Sequence, residues 1–393
     1  MERAEGPASG GVVMIGAEAS RQDIWAMVED GRFTDQVEAH YRTLLFDLDL
    51  ACYNNCHVCH VPGSGVAFYK AMGFMALTLP SVAYIDPFRT REVEYNLNLT
   101  AKNICNPNLS NPLNMYDSEN VRVVLSALSY EFYRLVSGRG QFDEKSRAFI
   151  EEIKGKIINN YQSAQNIFAL ETVTGRFEMF PNLLAMLAFE IHDKIHGTTY
   201  SDDNDKILDG IGVLLRDDKS GLFFESLQTG SFGFDKQEMN RESFWISRNI
   251  RPRSNALALN LMHYFRPQEA EALWEQFKFA FSDELMRIDL GALKGKSGQS
   301  FVTPLGFQLE DIFSALWLAK EMQDVKFFNL LNNRIYEVLE PKRIEAKIFY
   351  DQLGEGGPLV SYFNLLAQCH VGWKQLVEKD WAQSYHKDYN VVR

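Results

Sequence analysis

The chain has 393 residues, enough for two average domains or one large helical one, and enough to bury a substantial core. Forty basic residues against fifty-two acidic ones give a net charge of -12, and no Lys/Arg-rich run appears, which excludes the electrostatic footprint of a nucleic-acid binder. Apolar residues (46 %) and charged ones (23 %) are in ordinary proportion, whereas aromatics reach 13 %, with 28 Phe and 16 Tyr, an excess that points to a cavity or deep core lined with rings.

Residues 1–20 are small and Gly-rich, lack the charged start and apolar centre of a signal peptide, and read as a flexible tail before a single domain over 21–393. Apolar residues then recur at helical spacing and predict helices at 21–29, 34–53, 64–84, 90–104, 118–137, 142–161, 180–196, 202–216, 253–265, 267–282, 308–323, 324–339 and 359–379. The breaks carry helix stop and start chemistry: IDPFRT at 85–90, VSGRGQFDE at 136–144, IHGTTYSDD at 195–203 and HYFRPQEAE at 263–271. The longest apolar stretch, 65–85, contains Lys70 and Pro80 and reads as a buried helix, so no stable membrane insertion is expected. A cytoplasmic location with reduced cysteines follows.

The order of the helices carries more than their number. A Leu-, Phe- and Ala-rich helix is followed after a short turn by one with more surface charge, and long aromatic, Gly-rich connections separate these pairs. Short turns at one end and long loops at the other predict helical hairpins closing into a ring, apolar helices inside and wetter ones outside: an all-α (α/α)6 barrel. The long loops then surround the mouth of a central cavity, and the Gly- and Phe-rich stretch 217–252 forms a small β-ribbon in the rim.

The stretch ACYNNCHVCH contains a C-x-x-C-H match over Cys56 to His60. Covalent haem needs an export or organelle route and a second axial ligand, and neither is signalled. A redox Cys pair belongs after a strand at a helix start, but a helical run precedes this one. For zinc, Cys105, Cys369, His192, His196, His263 and His370 are scattered; His192 and His196 share one helix face, but no second ligand pair accompanies them. No metal and no cofactor are therefore expected. SDDNDKILD at 201–209 looks like a diphosphate-binding Asp cluster, yet Asp202 and Asp203 are better explained as the cap and first turn of a helix.

Carboxylates in apolar or loop settings are the candidates for acid/base work. Asp47 and Asp49 interrupt the apolar run LLFDLDLACY, where a buried carboxylate must be paired or have its pKa raised. Glu171 and Glu178 precede an apolar helix, Glu225 and Asp235 lie in the rim ribbon, and Tyr350 and Asp351 occupy IFYDQLGEGG.

In order and spacing, PSVAYIDPFRTREVEYNLNLTAKNI (80–104), VVLSALSYEFYRLVSGRGQF (123–142), LLAMLAFEIHDKIHGTTY (183–200), IFSALWLAKEMQDVKFFNLLNNRI (312–335) and FNLLAQCHVGW (363–373) resemble the linalool dehydratase-isomerase family. The resemblance implies an (α/α)6 barrel, a homo-oligomer, and cofactor-independent dehydration, hydration or isomerisation of a small, apolar, terpenoid-like alcohol. It implies a lyase, isomerase or cyclase of specialised metabolism. The family's acid and tyrosine fall on Asp47 and Tyr53, and its nearby cysteine on Cys56. Its catalytic histidine falls at Leu125 or Ser126, and its cysteine pair near Thr172 and Pro181, so those groups are missing. The resulting expectation is Asp47 and Tyr53 as catalytic residues, with Glu178 as a second carboxyl. Asp49, Cys56, His57, His60, Ser126, Glu171, Phe177, Phe224, Trp245 and Tyr350 would line the pocket.

Two other readings share the toroid. Glycoside hydrolases and sugar epimerases pair carboxylates with stacking aromatics across an open cleft, with roughly 5 to 9.5 Å between the two acids in the hydrolases. A non-catalytic terpenoid-binding homologue would keep the barrel and lose the chemistry.

Overall fold

In a computed structural model, residues 13–14, 37–42, 45, 65–104, 119–163, 166–173, 175–229, 244–247, 249–287, 309–339, 341–344, 347–349 and 364–382 are described. The sequence-predicted segments 21–29 and 43–63, with Asp47, Asp49, Tyr53, Cys56, His57 and His60, lie outside these residues apart from the helical position at 45, as does Tyr350.

The hairpins form as their patterns predict: α1 (Gly65–Ile85) with α2 (Thr90–Asn103), α3 (Glu119–Ser137) with α4 (Asp143–Gln162), α5 (Met179–His196) with α6 (Asn204–Leu215), α7 (Pro252–Phe265) with α8 (Pro267–Met286), and α9 (Leu309–Glu321) with α10 (Val325–Leu339). The first helix of each pair is buried nearly all round, as α5 is from Met179 to His192, while its partner buries a single stripe, as in α4 at Ser146, Ile150, Ile153 and Ile157. Each inner helix packs on the next, α1 on α3, α3 on α5, α5 on α7 and α7 on α9. Gly73 permits the first of these approaches, because a Cβ there would stand 2.7 Å from Leu125 Cδ1. A helix at 364–369 and α11 (Trp373–Glu378) complete the inner layer, α11 packing on both α1 and α7.

The helical turn at 37–42 closes the outer layer. His40 Nε2 lies 3.0 Å from Tyr336 Oη on α10, and Glu38 pairs at 2.6 Å with Arg89, whose guanidinium lies over Tyr41. This is the (α/α)6 barrel that the order of helices predicts.

The expected helix at 359–379 is interrupted. Residues 370–372 leave the helical path before α11 begins, and Gly372 sits at φ +99°, where a Cβ would meet Gln375 Oε1 at 2.3 Å. Only glycine takes that conformation without strain. The 201–209 stretch also differs in detail. Asp203 pairs with Lys154 and, at 2.6 Å, with Lys206, while Asp193 holds the turn by accepting from the backbone N–H of Tyr200 and Ser201 at 2.9 and 2.6 Å.

Two small antiparallel sheets accompany the helices. One joins β1 (Val13–Met14), β6 (Lys342–Ile344) and β7 (Lys347–Phe349); the other orders β2 (Glu171–Val173), β3 (Arg176–Phe177), β4 (Ser226–Thr229) and β5 (Phe244–Ser247). The second is the rim ribbon, extended by a hairpin that the sequence assigns only to a loop. In chain order its strands precede α5 and α7, on the side of the long connections.

A repeated device ties those connections to the inner helices. Asn182, near the start of α5, accepts from Leu170 N–H at 2.7 Å and donates to Leu170 C=O at 3.0 Å; Asn255, at the same place in α7, does the same to Phe223 at 2.7 and 2.8 Å. Both side chains are fully buried, so each clamp satisfies backbone groups that water cannot reach. Replacing Asn255 with Ala is expected to cost about 2–4 kcal/mol in denaturant unfolding, since it orphans a buried N–H and a buried C=O. A loss under about 1 kcal/mol would show that the loop finds other partners.

Candidate active site

Because every inner helix runs in the same sense, their N-terminal ends meet at the mouth and their C-terminal ends at the floor. The mouth carries the rim sheet. Phe177 and Leu227 are directly paired across β3 and β4 and both are buried; Arg176 is paired with the exposed Gln228 on the other face. Glu178 continues that strand in extended conformation (φ -137°, ψ 149°) and shares the face of Arg176, which it meets at 2.6 Å. Its side chain is 28 % exposed and its carbonyl accepts from Asn182 Nδ2 at 2.9 Å, so strand, clamp and ion pair all fix it at the entrance to α5.

Two further half-buried carboxylates belong to this rim. Glu171 opens β2, its carbonyl accepting from Asn120 Nδ2 at 2.7 Å, and Glu225 precedes β4, its N–H donating to Asn249 C=O at 2.9 Å. Neither forms an ion pair among the described residues. Asp311, at the start of α9, is buried and accepts from Arg253 N–H at 2.9 Å.

The remaining expected residues fall in different places. Phe177 is in the core, Phe224 packs half-buried against it, and Trp245 is paired in register with Gln228. Ser126 is buried, with its hydroxyl donating to Arg122 C=O at 2.7 Å inside α3. Leu125 fills the gap over Gly73, so neither position offers a proton carrier where the resemblance needs a histidine.

The floor holds two histidine–carboxylate clusters. Glu321, at the end of α9, receives His263 Nδ1 of α7 at 2.7 Å and a shorter hydrogen bond from His370 Nε2. Burial raises the Glu321 pKa, but the hydrogen bonds and charges of the two histidines outweigh it and hold the carboxyl at about 2; the same bond raises His263. Trp317 and Trp373 stand edge-on to His370, and Trp373 Nε1 donates to Asn260 Oδ1 at 2.7 Å. The second cluster brings Glu131 of α3 to His192 and His196 of α5, with His192 Nδ1 2.6 Å from Glu131 Oε1. Both clusters face short turns, and the first binds four inner elements together.

No family model matches the chain. Among solved structures it is similar to an inactive variant of the alpha-1,6-mannanase GH76A of Salegentibacter sp. HEL1_6 in complex with alpha-1,6-mannotetrose, at TM-score 0.51 and 12 % identity, covering 88 % of this chain and 99 % of that one. The unsubstituted mannanase matches at TM-score 0.48 over 79 % of this chain and 90 % of that one, again at 12 % identity. An unsaturated glucuronyl hydrolase from Streptococcus agalactiae matches at 0.47 and 12 % identity, over 92 % and 98 %. The shared feature is the (α/α)6 barrel. The neighbour at TM-score 0.51 is a mannanase and not a linalool dehydratase-isomerase, which overturns that resemblance, and with it the terpenoid substrate, the lyase or isomerase chemistry and the place in specialised metabolism. Among the described residues no helix is long and apolar enough to cross a membrane.

Proposed function

We propose that the protein is a glycoside hydrolase that cleaves an oligosaccharide at the mouth of the barrel. The observation that carries this reading is Glu178: a half-buried carboxylate, ion-paired at 2.6 Å and locked at the N-terminus of an inner helix on the long-loop side. Arg176 and the helix end both favour its ionised form, which suits a base or nucleophile and not a proton donor. The acid is assigned to Glu225 of the same rim, which no cation neutralises among the described residues; Glu171 pairs in register with Phe177 and so stands on the opposite face of the ribbon from Glu178.

The barrel likeness supports the substrate class, since the mannanase it resembles holds a tetrasaccharide. Its inactive form carries two adjacent aspartate substitutions, and this chain contains two adjacent aspartate pairs, Asp202–Asp203 and Asp217–Asp218. Asp203 is taken by two lysines, and Asp217 accepts from Ser220 N–H and Oγ at 2.8 and 2.7 Å to close a turn. One aspartate of each pair is thus committed to local structure, so the catalytic carboxylates are expected elsewhere, on the rim. Incubating the purified chain with a panel of oligosaccharides, alpha-1,6-mannosides and unsaturated uronides included, and assaying new reducing ends tests the proposal. Cleavage that is lost in Glu178→Gln supports it, and cleavage unaffected by that change removes Glu178 from the reaction.

A further inference from the structure

The Glu131, His192 and His196 cluster has no part in the rim chemistry, and its geometry is unusual for a purely structural network. The three residues each offer a ligand atom, and these atoms lie within 4.8 Å of one another. Glu131 and His192 are fully buried, while His196, one helical turn beyond His192, is half-buried and gives the cluster a side open toward solvent. Glu131 Oε1 is already served by His192 Nδ1 and by the hydroxyl of Ser146. Glu131 Oε2, His192 Nε2 and His196 Nε2 are left buried without a hydrogen-bond partner among the described residues. Buried polar atoms left unpaired are costly, and these three belong to one group of potential ligands.

We propose that Glu131, His192 and His196 form a divalent-metal site, taking a borderline ion such as Zn²⁺, that pins α3 to α5 at the floor of the barrel. Two imidazoles and a carboxylate are a common three-ligand set for this ion, with water completing four-coordination on the His196 side. Ser146 holds the carboxylate from behind, as an outer-shell group should. Arg134, the next cation along α3, is neutralised by Asp143 at 3.5 Å and so does not compete for the carboxylate. Asn182 at the mouth end of α5 lies ten residues from His192, about 15 Å along the helix, so the ion is a fastener and stands apart from the proposed hydrolysis.

The test uses the full chain after dialysis against a chelator, titrated with Zn²⁺ by calorimetry and with Co²⁺ followed by its visible absorption. One tightly bound equivalent, a rise in melting temperature on loading, and an affinity at least about 100-fold weaker in both His196→Ala and Glu131→Gln are expected. His196 is half-buried, so its variant folds even if removal of the buried Glu131 does not. Loss of the bound equivalent in His263→Ala, with His196→Ala unaffected, would place the ion at the other cluster and overturn the proposal, as would failure of the wild-type chain to retain any equivalent. None of these readouts depends on catalysis, so the outcome is independent of the hydrolase reading.

Discussion

Replacing Glu178 with Gln is expected to lower the turnover of a susceptible oligosaccharide by about 10²- to 10⁴-fold, the range a positioned base or nucleophile contributes. The substitution keeps shape and the Asn182 bond to the backbone carbonyl, so melting temperature should change little. Arg176→Met makes the complementary case: with the carboxylate no longer paired at 2.6 Å, the acidic limb of the pH–rate profile should move to higher pH, because loss of a cation favours the neutral acid. A Glu178→Gln variant that hydrolyses at the wild-type rate contradicts the assignment. An Arg176→Met variant whose acidic limb stays in place shows that the ion pair is structural only.

The second large effect is on stability. Glu321→Ala is expected to cost about 3 kcal/mol or more, because it removes the shared acceptor of His263 and His370 and leaves a cavity among Trp317, Trp373 and α7. The pH dependence follows from the two shifts. Glu321 is depressed from 4.5 to about 2, so its contribution is complete above pH 4.5 and is lost as pH falls through about 2. His263 is raised from 6.5, so its contribution is complete below pH 6.5 and is lost as pH climbs through the raised value. The wild-type advantage over the variant should therefore be greatest between about pH 4.5 and 6.5 and shrink on either side. Urea unfolding of both proteins across that range measures it, and a difference independent of pH would mean that packing alone accounts for the loss.

The barrel was legible in the sequence because hairpin order and helical periodicity are local properties. Apolar spacing in α5, Gly197 at its end and the short turn to α6 need no knowledge of distant residues. The break before α11 was missed because it depends on one glycine at positive φ, and periodicity runs through it unchanged. The histidine clusters were half legible: His192 and His196 share a helix face, but Glu131 lies 61 residues from His192 and reaches it only through the packing of α3 on α5. The misleading family resemblance has a physical origin too. NLLA at Asn182, NALA at Asn255 and NLLA at Asn364 are what an inner helix needs, a buried Asn, which clamps a loop in the first two, followed by small and branched apolar residues. Any six-hairpin barrel repeats such segments in similar order, so they report the fold and carry no information about the substrate.

The most direct test of the hydrolase reading is mass analysis of products formed in H₂¹⁸O from an oligosaccharide panel. The account predicts fragments with one ¹⁸O at the new reducing end, formed by the wild-type chain and not by Glu178→Gln. Absence of labelled fragments from every oligosaccharide, or label-free products formed by elimination or epimerisation, would contradict it.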